Sequence, residues 1–120
     1  MKITPRREGS VDILDLEGRL TFGPPSEALR GEIKQRLEAG QTLFALDLTR
    51  VPYVDSTGLG ELVACRESVR KRDGVIKLVA SGKTYDICLI TGMDCLFVIF
   101  HEEDKALASF DSENGPSGNP

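Results

Sequence analysis

The chain has 120 residues, of which 40% are hydrophobic, and its 15 basic and 19 acidic side chains give a formal charge of −4. That is material for one domain around one core, and the charge has the wrong sign for a nucleic-acid-binding protein. No long apolar run follows Met1, and no stretch approaches the roughly 20 apolar residues of a membrane span. Neither a signal peptide nor a membrane helix is expected, and a cytoplasmic protein is. The three cysteines, Cys65, Cys88 and Cys95, are odd in number and lack CxxC spacing. They read as small core residues of a reducing compartment.

Residues 2–7 and 11–16 read as a strand pair turning at Glu8-Gly9-Ser10. Pro5 marks the first as an edge strand because proline cannot donate to a ladder. A helix is expected at about 24–39, with Pro24 and Pro25 tolerated in its first turn. Leu29, Ile33 and Leu37 form its buried stripe, and Gly40 ends it. Gly31 inside this helix costs about 1 kcal/mol relative to Ala, so either something packs close to it or it faces solvent. Leu43 to Leu48 is nearly continuous in apolar residues and reads as a strand covered on both faces.

A second helix is expected at about 57–72, with Leu59, Leu62, Val63 and Val69 inward. Arg66, Arg70, Lys71 and Arg72 crowd its outer face and C-terminal end, where cations suit the helix dipole. They are a solvated face or a docking aid for an acidic partner. Val75 to Val79 is a further strand and completes a parallel, right-handed βαβ unit. A short helix follows near 83–91, with Tyr85, Leu89 and Cys88 inward. Leu96 to Phe100 is a last strand, and Glu102-Glu103-Asp104 opens a last helix docked by Leu107 and Phe110. Residues 111–120, rich in Gly, Pro, Ser and Asn, are expected to be a disordered tail. The order is ββαβαβαβα: an α/β domain over residues 1–110 with a mixed, mostly parallel sheet of four to five strands and about four helices.

The most informative stretch is Val51 to Leu62, which joins an apolar strand to an amphipathic helix and places Asp55, Ser56, Thr57, Gly58 and Gly60 at the junction. In open α/β sheets, ligands gather beyond the carboxyl ends of strands. The orphan N–H groups and partial positive charge of a helix start can be closed by a Ser or Asp side chain, or can hold a phosphate. By spacing alone, Asp55, Ser56 and Thr57 are capping residues, and Ser56 is expected to cap the helix while unmodified. Gly58 and Gly60 lack Cβ atoms, so another backbone or a large oxyanion can approach them. Phosphate on Ser56 would add about −1.5 to −2 charges. The helix start offsets that charge and Asp55 repels it, and a docked partner would face a hydrated dianion that is costly to bury.

The run Leu46 to Gly60, with Asp55-Ser56-Thr57-Gly58-Leu59-Gly60 at its centre, resembles the signature of STAS domains (sulphate transporter and anti-sigma factor antagonist). Glu17-Gly18-Arg19-Leu20 and Gly92 to Phe97 extend the resemblance over about residues 3–110. It implies a non-enzymatic switch. Stand-alone members bind an anti-sigma factor that is also a serine kinase. That kinase phosphorylates the serine matching Ser56, with Thr57 the lesser candidate, and the modified form lets go until a phosphatase resets it. The partner-binding face implied is Thr21, Phe22, Asp55, Ser56, Thr57, Gly58, Leu59 and Gly60. Thr21 stands where many members carry an acidic residue or Asn, so the local charge differs. The same resemblance also implies an alternative, a permanent accessory subunit of a lipid or anion transporter or of a signalling scaffold.

Catalysis through Ser56 would need a base. The one histidine, His101, lies far along the chain and reads as a cap or surface residue, and Asp55 and Val54 break the Gly-x-Ser-x-Gly elbow. No GxxxxGK[ST] loop is present, and the scattered His and Cys make no zinc site. No cofactor is expected.

Overall fold

The computed structural model describes residues 1–113, with side chains described through residue 111. The elements are β1 (Lys2–Glu8), β2 (Val11–Glu17), α1 (Pro24–Glu38), β3 (Leu43–Arg50), α2 (Ser56–Arg70), β4 (Val75–Val79), α3 (Gly82–Ile90), β5 (Ile99–Phe100) and α4 (Glu103–Glu113). They form one five-stranded sheet in the order β1-β2-β3-β4-β5. β1 and β2 are an antiparallel hairpin, and every later pairing is parallel.

The offset apolar residues of β2 follow from burial on both faces. Leu14 and Leu16 join the main core beneath α1 and α2. Val11 and Ile13 face the opposite way, into a smaller cluster with Ala45 and Phe110 under α4. Leu29, Ile33 and Leu37 are the buried stripe of α1, and Gly40 leaves that helix with φ of 94°. A Cβ on the exposed Gly31 would meet nothing within 4 Å, so the solvent-facing alternative holds there.

Several expectations need correction. The inner face of α2 is Gly58, Glu61, Leu62, Cys65 and Val69. Leu59 and Val63 pack at its margin, half-buried. Leu89 on α3 is exposed, and Thr84 and Cys88 face inward instead. The last strand shrinks to two residues because Leu96 and Phe97 donate back to the Met93 carbonyl in a 3₁₀ turn. That edge position buries Phe97 and exposes Leu96 and Val98. Cys65 and Cys88 are core residues, whereas Cys95 is exposed. α4 continues to Glu113, three residues into the expected tail, and the rest of that segment lies outside the described residues.

The basic cluster at the end of α2 is tied to the fold. Arg66 donates to the Leu96 carbonyl and pairs with Glu67, and Arg72 donates to the Leu37 carbonyl. His101 is exposed, with its ring 4.3 Å from that of Tyr85. Among the described residues, no helix is long and apolar enough to cross a membrane.

One contact sets where α2 begins. The loop after β2 runs parallel to the loop after β3, bridged at Leu20 and Val54. Leu20 N–H donates to the Tyr53 carbonyl at 3.0 Å, and Asp55 N–H donates to the Leu20 carbonyl at 3.2 Å. Gly58 lies directly beneath: a Cβ there would stand 2.2 Å from the Leu20 oxygen and 2.9 Å from Val54 Cγ1. The obstacle is mostly backbone, so it cannot rotate away. Gly58→Ala should therefore destabilise the protein by about 3 kcal/mol, a fall in melting temperature of roughly 10 °C. Gly60, also helical, has nothing within 4 Å of its would-be Cβ. Gly60→Ala should raise stability by about 0.5–1 kcal/mol. Thermal denaturation of the two variants checks the contrast, and equal effects would contradict it.

Candidate functional site at the start of helix α2

The site is built where the two loops deliver their ends to α2. Asp55 holds the N-cap position with φ −90° and ψ −179°, extended values that a helical residue cannot have. One carboxylate oxygen accepts from Gly58 N–H at 2.8 Å, and the other accepts from Phe22 N–H at 3.0 Å. Asp55 thus closes the helix and also fastens the Thr21–Gly23 segment to it. Those two backbone donors hold its carboxyl below the ordinary carboxylate range, helped by Thr57 N–H and the charge of Arg19, against a smaller opposing effect of burial.

The expectation that Ser56 caps the helix is therefore corrected. α2 starts one residue earlier than the pattern implied, so Ser56 is its first helical residue and Asp55 performs the capping. Ser56, Thr57 and Gly60 are exposed, Thr21 and Leu59 are half-buried, and Gly58 is buried. Phe22 is 77% exposed, a large apolar side chain left in water beside the helix start. The segment is held from beneath, because Ser26 Oγ donates to the Thr21 carbonyl at 2.8 Å. Thr84 Oγ likewise fixes the Val51 carbonyl at 2.6 Å. The result is a firm platform with an outward-facing hydroxyl, an ionised carboxylate and an unburied aromatic ring.

Sequence reasoning passed over three participants. Arg19 lies over the Tyr53 ring, 4.7 Å from its centroid, and Tyr53 is 40% exposed beside the site. Glu61, one turn into α2, is buried and accepts from the Arg30 guanidinium of α1 at 2.6 Å. Its signal was available: residues 58, 61, 62, 65 and 69 are a helical stripe, with an acid where an apolar residue is usual. Burial and the Glu61 carboxylate push the neighbouring Cys65 thiol up to about 12, so this sulfur is no nucleophile at neutral pH.

Among the described residues, the group that could together hold a metal lies elsewhere. Asp15, Asp47 and Glu103 bring carboxylate oxygens within 4.8 Å of one another. Arg6 already bridges this group, binding Asp15 at 2.6 Å and Glu103 at 2.5 Å.

Residues 2–106 match the STAS domain family. This chain is a STAS domain. An anti-sigma-B factor antagonist of Listeria monocytogenes is 34% identical over 79 residues, covering 62% of this chain and 69% of that protein. A sulfate transporter family protein from Wolinella succinogenes is 28% identical, with a TM-score of 0.63 over 83% of this chain and 84% of that one. The phosphorylated form of the Bacillus cell fate determinant SpoIIAA shares the fold, with a TM-score of 0.69 over 90% of this chain and 98% of that one, at 17% identity. The five-stranded, mostly parallel sheet with four helices is thus the STAS fold.

The low carboxyl pKa of Asp55 has a testable sign. A group whose folded pKa is depressed contributes stability above its unfolded value and loses it as pH falls through the folded one. Asp55→Asn keeps an acceptor for Gly58 N–H but loses the charge and the second acceptor for Phe22 N–H. The variant should melt below the native chain at neutral pH. The gap should hold down to the ordinary carboxylate value of 3.8 and close below it. Melting curves of both proteins across the acid range check this, and a gap that persists unchanged in strong acid would contradict it.

Proposed function

We propose that this STAS domain is an anti-sigma factor antagonist switched by phosphorylation of Ser56. Unmodified, it binds an anti-sigma factor that is also a serine kinase, through Phe22, Thr21 and the Asp55–Gly60 turn. The kinase transfers the terminal phosphoryl group of ATP to Ser56 Oγ, the hydroxyl proton is lost and ADP leaves. The modified chain releases its partner, and a phosphatase restores the hydroxyl. The carrying observation is that Ser56 is exposed at the first position of α2 while Asp55 has taken over the cap. The hydroxyl is open to a kinase, and modifying it removes no capping bond from the helix.

Release follows from charge. The new dianion would stand in the interface next to an ionised Asp55, and a partner covering Phe22 would have to desolvate both. The antagonist name of the Listeria relative supports the regulatory class. A second reading, a static docking module beside a transporter, is favoured by the likeness to the Wolinella protein. On that reading the same face would bind without being modified.

The two readings separate in one experiment. Incubation of the chain with a kinase-type anti-sigma factor and ATP, followed by intact-mass and peptide mass spectrometry, should give one added phosphate on Ser56. Ser56→Ala should bind the same kinase, take up no phosphate and stay bound when ATP is added. Modification at Thr57, or no modification with binding insensitive to ATP, would contradict the switch.

A further inference from the structure

We infer that Arg19 is the intramolecular charge partner of a phosphate on Ser56, the guanidinium leaving the Tyr53 ring to pair with the phosphate oxygens. This rests on the proposed modification of Ser56 and says how the domain itself accommodates it.

Arg6, Arg7, Arg30, Arg36, Arg66 and Arg70 each pair with an acidic side chain. Arg19 does not, nor do Arg50 and Arg72: among the described residues they make no ion pair, and the Arg19 guanidinium rests on the Tyr53 ring. A cation held on an exposed aromatic face is held only weakly. It is therefore easily redirected to a stronger partner.

The backbone puts that cation in the right place. Parallel pairing of Leu20 with Val54 sets Arg19 alongside Tyr53. The hydrogen bonds of Leu20 to Tyr53 and Asp55 on either side fix the offset between the two loops. Arg19 thus emerges from the loop that flanks the start of α2. Its charge already acts on Asp55, the residue before Ser56.

The need for such a partner is physical. A phosphate dianion on Ser56 would stand next to a carboxylate that two backbone donors keep ionised. The helix start offsets part of that repulsion. A guanidinium offers a planar fork that matches two phosphate oxygens, and it adds a full positive charge to the partial one of the helix start. When Arg19 turns to the phosphate, the Tyr53 ring loses its cover. The partner's landing surface then changes in two ways, by a new charge and by an altered aromatic face.

The test installs phosphoserine at position 56 by protein semisynthesis, so that no kinase is involved, and follows its second ionisation by phosphorus NMR. A free phosphoserine titrates near pH 6, roughly. A nearby cation favours the dianion and lowers that value. The native chain should titrate lower than Arg19→Gln by about half a unit or more, with Arg19→Lys between them. The Tyr53 ring resonances should move on phosphorylation in the native chain and stay in place in Arg19→Gln. Equal titration of the native and Gln forms, or a Tyr53 shift indifferent to Arg19, would overturn the pairing. Because the phosphate is installed chemically, that result would leave the proposed function standing. Conversely, a Ser56 that no kinase modifies would defeat the function without touching the pairing.

Discussion

The close approach of the Gly58 backbone to the Leu20 carbonyl is the constraint from which the site follows. It lets two loops, one after the antiparallel hairpin and one after the central strand, meet over the first turn of α2. Once Gly58 is seated there, the Leu20 oxygen can accept from Asp55 N–H. Asp55 is thereby set in an extended conformation, and its carboxylate reaches both Gly58 N–H and Phe22 N–H. Ser56 is what remains, a helical residue with an exposed side chain. Any side chain at residue 58 would force the loops apart and misplace each of these groups together.

This arrangement separates the stability of the fold from the chemistry proposed for it. The carboxylate that fastens the loops is not the group to be modified, and the hydroxyl to be modified carries no cap hydrogen bond. Charge added at Ser56 meets the positive end of a helix dipole on one side and Asp55 on the other. The domain can absorb that contest in water. On the proposed switch, a partner lying over Phe22 and the turn could not, because desolvating the phosphate would have no matching return in the interface.

Much of this was legible in the sequence, for identifiable reasons. The succession of elements along the chain and the helix count followed from apolar runs and glycine stops, such as Leu29, Ile33 and Leu37 ending at Gly40. The Asp-Ser-Thr-Gly core marked the strand-to-helix junction at which α2 begins. Assigning the cap to Ser56 failed because Ser and Asp are both good capping residues. The choice between them was made by tertiary bonds, Asp55 N–H to the Leu20 carbonyl and Phe22 N–H to the Asp55 carboxylate, which no local pattern contains. Leu89 was misplaced because an apolar residue at helical spacing was read as buried, whereas α3 turns Thr84 and Cys88 inward. Glu61 was missed because an acid on an inner face makes sense only with Arg30 of another helix across from it. Periodicity reads what a helix presents, and the residues that lock helices together across the chain need the fold.

The most direct test of the central claim compares the unmodified chain with the chain carrying phosphoserine at position 56. The denaturation midpoint of each is measured alongside its affinity for a kinase-type anti-sigma factor. If the switch lies in the interface, the midpoints should agree within about 3 °C, while affinity should fall by about a hundredfold or more. Equal affinities, or a loss of stability large enough to account for the loss of binding, would contradict it.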